Sequence, residues 1–333
     1  MHIKNRFHLL ILIFLIACQQ SPTPDEKNAP GVQSSEQIVR KDTIPIQSTP
    51  NDSSEEEDGS YWFEQNQSIQ PAYTNGPVIT TIPWQEAEPG LNYTEIEASI
   101  HCSIGDSKIS VLSIDPNNFE LELYCAGEKK EYSKTAQQWV EEEQLIAAFN
   151  AGMFQMDGIT SVGYLRKGDY RNNTRLNTPY KSLLALNPKT DSLPGARIID
   201  LGCDNWGDWK DRYHSYTQCI RMISCEGRNV WSKQDRFWSM VCVATDFQGD
   251  VLFIFTRSPY SVWQFNQMLL KLPLNIDRVM YLEGGPEASF YVEHLALNVQ
   301  KMGSYETGFN ENDDNGVFWD LPNVIGVRRK RDK

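Results

Sequence analysis

Two apolar, strand-like runs in this chain each stop abruptly at a polar residue followed closely by glycine. One is Leu145-Ile146-Ala147-Ala148-Phe149 running into Asn150-Ala151-Gly152-Met153-Phe154; the other is Tyr281-Leu282 running into Glu283-Gly284-Gly285-Pro286-Glu287-Ala288-Ser289. Glycine permits sharp turns and lets backbone approach a ligand closely. A carboxylate just past a strand end is well sited for proton transfer. Two such turns far apart in sequence suggest the two walls of one site. Ordinary strand-to-loop punctuation is the plainer alternative.

The N-terminus reads differently. Lys4 and Arg6 precede a short apolar run, Leu9 to Ala17, that closes on Leu15-Ile16-Ala17-Cys18. A basic start, a short apolar stretch and a small residue before the break make a secretion signal. The run falls short of the roughly 20 residues of a membrane span. Its last four residues resemble a lipobox, with Cys18 as the lipidated mature N-terminus. The expectation is a signal peptide over 1–18 and a bacterial envelope protein tethered to a membrane through Cys18.

Residues 19–60 hold no aromatic residue and end near Ser53-Ser54-Glu55-Glu56-Glu57-Asp58. Such a segment buries too little apolar surface to offset its ordering entropy, so a disordered acidic tether is expected. From Tyr61 onward apolar runs become regular and all nine tryptophans appear. Residues 61–333 are long enough for one domain with a substantial core. The formal charge of the chain is −13, and the domain itself is acidic. Non-specific nucleic-acid binding depends on basic surface, so no nucleic-acid partner is expected.

Setting Cys18 aside leaves Cys102, Cys125, Cys203, Cys219, Cys225 and Cys242. Six cysteines in an exported protein allow 15 disulfide connectivities. Zinc is the rival use, but no close Cys-x-x-Cys pair exists and His101, His214 and His294 are scattered. No cofactor is required by these residues, and a divalent metal stays open.

Alternation and turn residues predict strands over 108–114 and 119–125, paired across Asp115-Pro116-Asn117-Asn118. A helix is expected over 135–143 with Ser133 as its cap. Residues 145–149 read as a buried strand, and 180–186 and 218–224 as further strands. The hairpin 238–247/251–256 turns at Gln248-Gly249-Asp250. An amphipathic helix with Val262, Phe265, Leu269 and Leu272 on one face follows, and then a strand over 278–282. The order strand, strand, helix, strand gives an α+β fold class, with a mixed, twisted sheet flanked by helices.

Taken in order, the Asn-x-Gly-x-Phe turn, a strand bearing Arg221, a hairpin ending in Thr256-Arg257, the acid-Gly-Gly turn and Pro322-Asn323-Val324-Ile325-Gly326-Val327 resemble the phosphodiester glycosidase family over 145–327. The family pattern reads Asn-Gly-Gly-Phe-Phe at the first turn, where this chain has Ala151 and Met153. At the second it reads Asp-Gly-Gly-Gly-Ser, where this chain has Glu283, Pro286 and an additional Glu287. Pro286 lacks the N–H that could bind a phosphate oxygen.

The resemblance implies a hydrolase of a sugar–phosphate diester or related glycosidic bond, with a carbohydrate or sugar-phosphate substrate. Glu283 is the candidate acid/base or nucleophile, with Glu287 second. Arg221 and Arg257 would hold phosphate oxygens, or else sit in structural ion pairs. Asn150, Gly152, Gly284, Gly285, Ser289 and Asn323 would shape the substrate site, or else serve the turns alone. Asp246 and Asp250 suit turn chemistry. The acidic run 311–316 lacks calcium-loop spacing. Trp206, Trp209 and Trp231 are more simply packing residues than sugar platforms. A glycan-binding lipoprotein without turnover remains the alternative, and Pro286 favours it; a purely structural envelope lipoprotein leaves both glycine turns unexplained.

Overall fold

The computed structural model describes residues 69–330. The expected signal peptide, Cys18, the acidic tether and residues 61–68 lie outside the described residues. Among those described, no helix is long and apolar enough to cross a membrane.

Strands dominate and helices are few, so the α+β expectation fits coarsely. One sheet has eleven strands and a second has five. They pack through aromatic rings: Phe149 of the smaller sheet stacks on Phe253 of the larger at 3.8 Å, and within its own sheet it meets Phe290 edge-on at 4.8 Å. Val241, Cys242, Val243, Ile254 and Phe255 fill the same core, all essentially without solvent exposure. Burial on this scale is the main favourable term in folding.

The sheet is not mixed as the sequence suggested: every strand pair among the described residues is antiparallel. Val251–Tyr260 and Ile276–Gly284 do run parallel across the helix Val262–Leu269, as the strand–helix–strand order implied. Trp238–Asp246 lies between them and pairs antiparallel with both. The crossover is therefore split by an intervening strand, which local order cannot disclose.

A second correction concerns Lys108–Ile114 and Phe119–Cys125. Both strands form, but not as a hairpin. The first pairs with Leu91–Glu97 and Val251–Tyr260; the second joins the smaller sheet beside Asn323–Arg329. The turn at 115–118 thus carries the chain between sheets. The cap of the first long helix lies two residues later than expected. Thr135, not Ser133, caps Ala136–Glu143 in a capping box with Gln138, and the Ser133 hydroxyl donates to Gly158 O instead. The second helix, capped by Ser261 and Gln264, ends at Leu269, so Leu272 lies beyond it.

Of the six domain cysteines, Cys203 and Cys225 form a disulfide, while Cys102, Cys125, Cys219 and Cys242 are buried free thiols. The bridge closes a loop of 22 residues. Reduction is expected to cost about 3 kcal/mol by the chain-entropy relation. A thermal melt with and without reductant checks this; an unchanged melting temperature would show that the bridge stabilises nothing. Asp200 lies with this pair in the one group of potential metal donors among the described residues. Its two sulfurs are bonded to each other and so are not offered as thiolates.

Candidate active site

The two glycine turns meet. Ala147–Asn150 is a central strand of the smaller sheet, paired with Ser289–His294 on one side and Asn323–Arg329 on the other. Ile276–Gly284 belongs to the larger sheet, and the short 3₁₀ turn Gly285–Glu287 carries the chain from its end into Ser289–His294. The acid-Gly-Gly turn is therefore the step from one sheet to the other. Asn150, at its own strand end, holds that step in place. Its Nδ2 donates to Glu287 O at 3.0 Å, and its Oδ1 accepts from Ser289 N at 2.8 Å. Asn150 is 1% exposed, so water does not compete for either bond.

The other turn residues brace the same junction. The Ser289 hydroxyl donates to Glu287 O at 3.1 Å. Asn323 O accepts from Ala151 N at 3.1 Å, and Asn323 Nδ2 donates to Ile159 O at 3.1 Å. Gly152 has φ +114°, which a side chain would strain. Gly285 has φ +62°, and a Cβ there would stand 2.3 Å from Glu306 Oε2. The positive φ is what calls for glycine at 285, since the Glu306 side-chain end could shift.

Glu283 is partly exposed at the end of its strand, opposite Val241. Its own Oε1 accepts from Gly284 N at 3.1 Å. Burial is the chief cause holding its carboxyl well above the usual carboxylate range, followed by the negative charges of Glu287 and Glu306. The Gly284 amide opposes them. Tyr281 and Tyr180 are pushed well above 10 by burial first, and burial pushes the Cys219 thiol on the adjacent strand up to about 12. A carboxyl whose pKa is raised by burial and by other carboxylates is suited to acid catalysis.

The arginines are turned elsewhere. Arg221 lies on Tyr213–Ile223 opposite Met280, but its guanidinium bonds the buried Asp200 at 2.7 Å. Asp200 also accepts from the amides of Gly202 and Cys225, which ties this pair to the disulfide. Arg257 donates through Nη1 to Met302 O, through Nη2 to Asp313 O and Asn315 O, and through Nε to the Asp313 carboxylate. The donors expected to hold phosphate are thus engaged with protein in this structure. Trp206 and Trp209 pack in a small aromatic cluster with Tyr213 and Tyr216.

Glu306, which the sequence did not mark, also reaches the glycine turn. It sits in the loop four residues beyond the strand Leu297–Met302, not at the strand end itself and with no glycine pair beside it to single it out. Its signal exists only in space, where its carboxylate overlies Gly285.

The profile of the phosphodiester glycosidase family matches residues 143–328, more than half of the chain. Among curated proteins, none matches by sequence. The catalytic domain of zebrafish N-acetylglucosamine-1-phosphodiester alpha-N-acetylglucosaminidase, solved in a form auto-inhibited by its pro-peptide, is similar in fold. The TM-score is 0.52 at 10% identity, covering 79% of this chain and 89% of that one. A hypothetical protein from Synechocystis gives a TM-score of 0.52 at 13% identity over 75% of this chain and 64% of that chain. At these identities the two structures speak for the fold alone.

Proposed function

This chain belongs to the phosphodiester glycosidase family, and from that premise we propose that it is an exported, membrane-tethered hydrolase that cleaves a sugar–phosphate diester or related glycosidic bond in glycans. The observation that carries the reading is Glu283. It is a carboxyl whose pKa is raised by burial first and then by neighbouring glutamates, at a turn fixed by Asn150.

Glu283 donates its proton to the leaving oxygen as the bond at the anomeric carbon breaks. Glu287 is the second carboxylate, and the water that completes the hydrolysis gives hydroxide to the sugar and a proton to the protein. The lipobox-like Leu15-Ile16-Ala17-Cys18 supports tethering at a bacterial membrane. The Cys203–Cys225 bridge is consistent with an oxidising compartment.

Incubation of the protein with a panel of N-acetylglucosamine 1-phosphodiesters and aryl glycosides tests this reading, with Glu283→Gln as control. Sugar release by the wild type alone supports it. Saturable binding of panel members without release, unchanged in Glu283→Gln, would replace it with a glycan-binding lipoprotein on the same fold. Pro286 and the engaged arginines favour that second reading.

A further inference from the structure

The chain enters the described fold beside the glycine turn. Ile69, the first described residue, donates its N–H to Glu311 O at 3.1 Å. Glu311 belongs to the loop between the strands Leu297–Met302 and Asn323–Arg329. That loop turns tightly: Phe309 N and Asn310 N both donate to Glu306 O, at 3.1 and 3.0 Å, and Glu311 Oε1 accepts from Gly308 N at 2.8 Å. The Glu306 side chain of the same turn lies over Gly285, where a Cβ would stand 2.3 Å from Oε2. Beyond Ile69 the chain pairs as Tyr73–Asn75 with Ile100–Cys102. The residues before Ile69 therefore leave the domain from this loop.

The loop also exposes aromatic surface. Phe309 and Trp319 are 42% and 37% exposed, and their rings meet edge-on at 6.0 Å. Val317 is 64% exposed, while Phe318, between it and Trp319, turns onto Tyr291 at 5.6 Å. Ile69 is 52% exposed. Apolar side chains gathered in this way mark a surface that another group covers. Asp314 and Asp320 are exposed carboxylates on the same loop, and like charges disfavour an anionic ligand there.

The sequence supplies an uncharged aromatic partner. Between residues 19 and 72 aromatic residues occur only as Tyr61-Trp62-Phe63, and the polar spacer Glu64-Gln65-Asn66-Gln67-Ser68 joins them to Ile69. Phe63 stands six positions before Ile69, so it reaches at most about 20 Å from the entry point. We propose that Tyr61-Trp62-Phe63 docks on the Phe309–Trp319 surface of the same chain. Each buried ring of this kind removes on the order of 150–250 Å² from water, and edge-on or offset ring contacts add to that gain. The short spacer keeps the effective concentration of the run in the millimolar range, so weak contacts suffice. The docked run lies at the edge of the candidate site, on the loop whose Glu306 overlies Gly285. The proposal stands whether or not the chain hydrolyses glycans.

The test is amide hydrogen exchange, read by mass spectrometry on the full-length protein. In the triple variant Tyr61→Ser, Trp62→Ser, Phe63→Ser, amides of 309–320 are expected to exchange about tenfold faster than in wild type, the factor for a docked state favoured about ten to one. Trp319→Ala should speed exchange in 61–68 to the same extent, and the combined variant should show no further change in either stretch. The serine substitutions precede Ile69 and touch none of the core contacts described above, so they read docking even if Trp319→Ala disturbs its loop. Unchanged exchange at 309–320 in the serine variant overturns the proposal. Protection that disappears on about tenfold dilution also overturns it, and assigns the surface to a second copy of the chain. A surface protected only after addition of an N-acetylglucosamine tetramer overturns it in favour of a sugar platform.

Discussion

Glu283→Gln is expected to lower hydrolysis by about a hundred- to ten-thousand-fold, the span contributed by a positioned proton donor, while leaving the fold intact. The amide keeps the size and the partial burial of the carboxyl but carries no transferable proton. The same substitution should stabilise the protein above the acid range. A carboxyl whose folded pKa is raised keeps its proton in the native state after the unfolded chain has lost it. Between the unfolded and folded values the native state binds more protons, so stability falls as pH rises through that window. Wild type should therefore lose melting temperature from about pH 4.5 upward relative to Glu283→Gln. Parallel melting curves for the two proteins from pH 4 to 8 would contradict the raised carboxyl, and undiminished turnover would remove Glu283 from the reaction.

Asn150→Ala is expected to damage both stability and function, because Asn150 joins the two turns. The substitution strips Ser289 N of its buried acceptor and removes one of two donors from Glu287 O. An unpartnered buried amide and a small void together cost about 2 to 3 kcal/mol, or roughly 5–10 °C of melting temperature for a domain of this size. The remaining protein should still hydrolyse at least about a hundredfold more slowly, since misplacing the turn by about an ångström has that effect. Asn150→Asp tests the same point with little change of volume: it keeps the acceptor for Ser289 and loses the donor for Glu287. A melt and a rate measurement on both variants suffice. Full activity in Asn150→Ala would mean that the junction tolerates slack and that Asn150 serves packing alone.

Much of the local structure was legible in sequence. Residues 145–149 read as a buried strand because nothing polar interrupts them, and Ala147–Asn150 is that strand. The hairpin around Gln248-Gly249-Asp250 was equally plain, with apolar runs on both sides of a turn. Ser133 was preferred as a cap because one hydroxyl two residues from another looks equivalent in one dimension; only the reach of Gln138 back to Thr135 separates them. Lys108–Ile114 and Phe119–Cys125 were read as partners because adjacent strands usually pair, and whether a short turn closes a hairpin or crosses between sheets depends on partners far away in sequence.

The candidate site divides the same way. The sequence by itself marked Asn150, Glu283 and Glu287, because a polar residue at an abrupt strand end beside glycine is a local pattern. It also determined the order of motifs by which the family was recognised. Only the tertiary structure decided that Asn150 clasps the Glu287–Ser289 backbone, that Arg221 and Arg257 face Asp200 and Asp313, and that Glu306 arrives over Gly285. The physical reason is that strand ends and turns follow from hydrophobic periodicity and backbone freedom within a few residues. Ion-pair choice and the protonation of a carboxyl depend instead on burial and on charges brought together from distant segments.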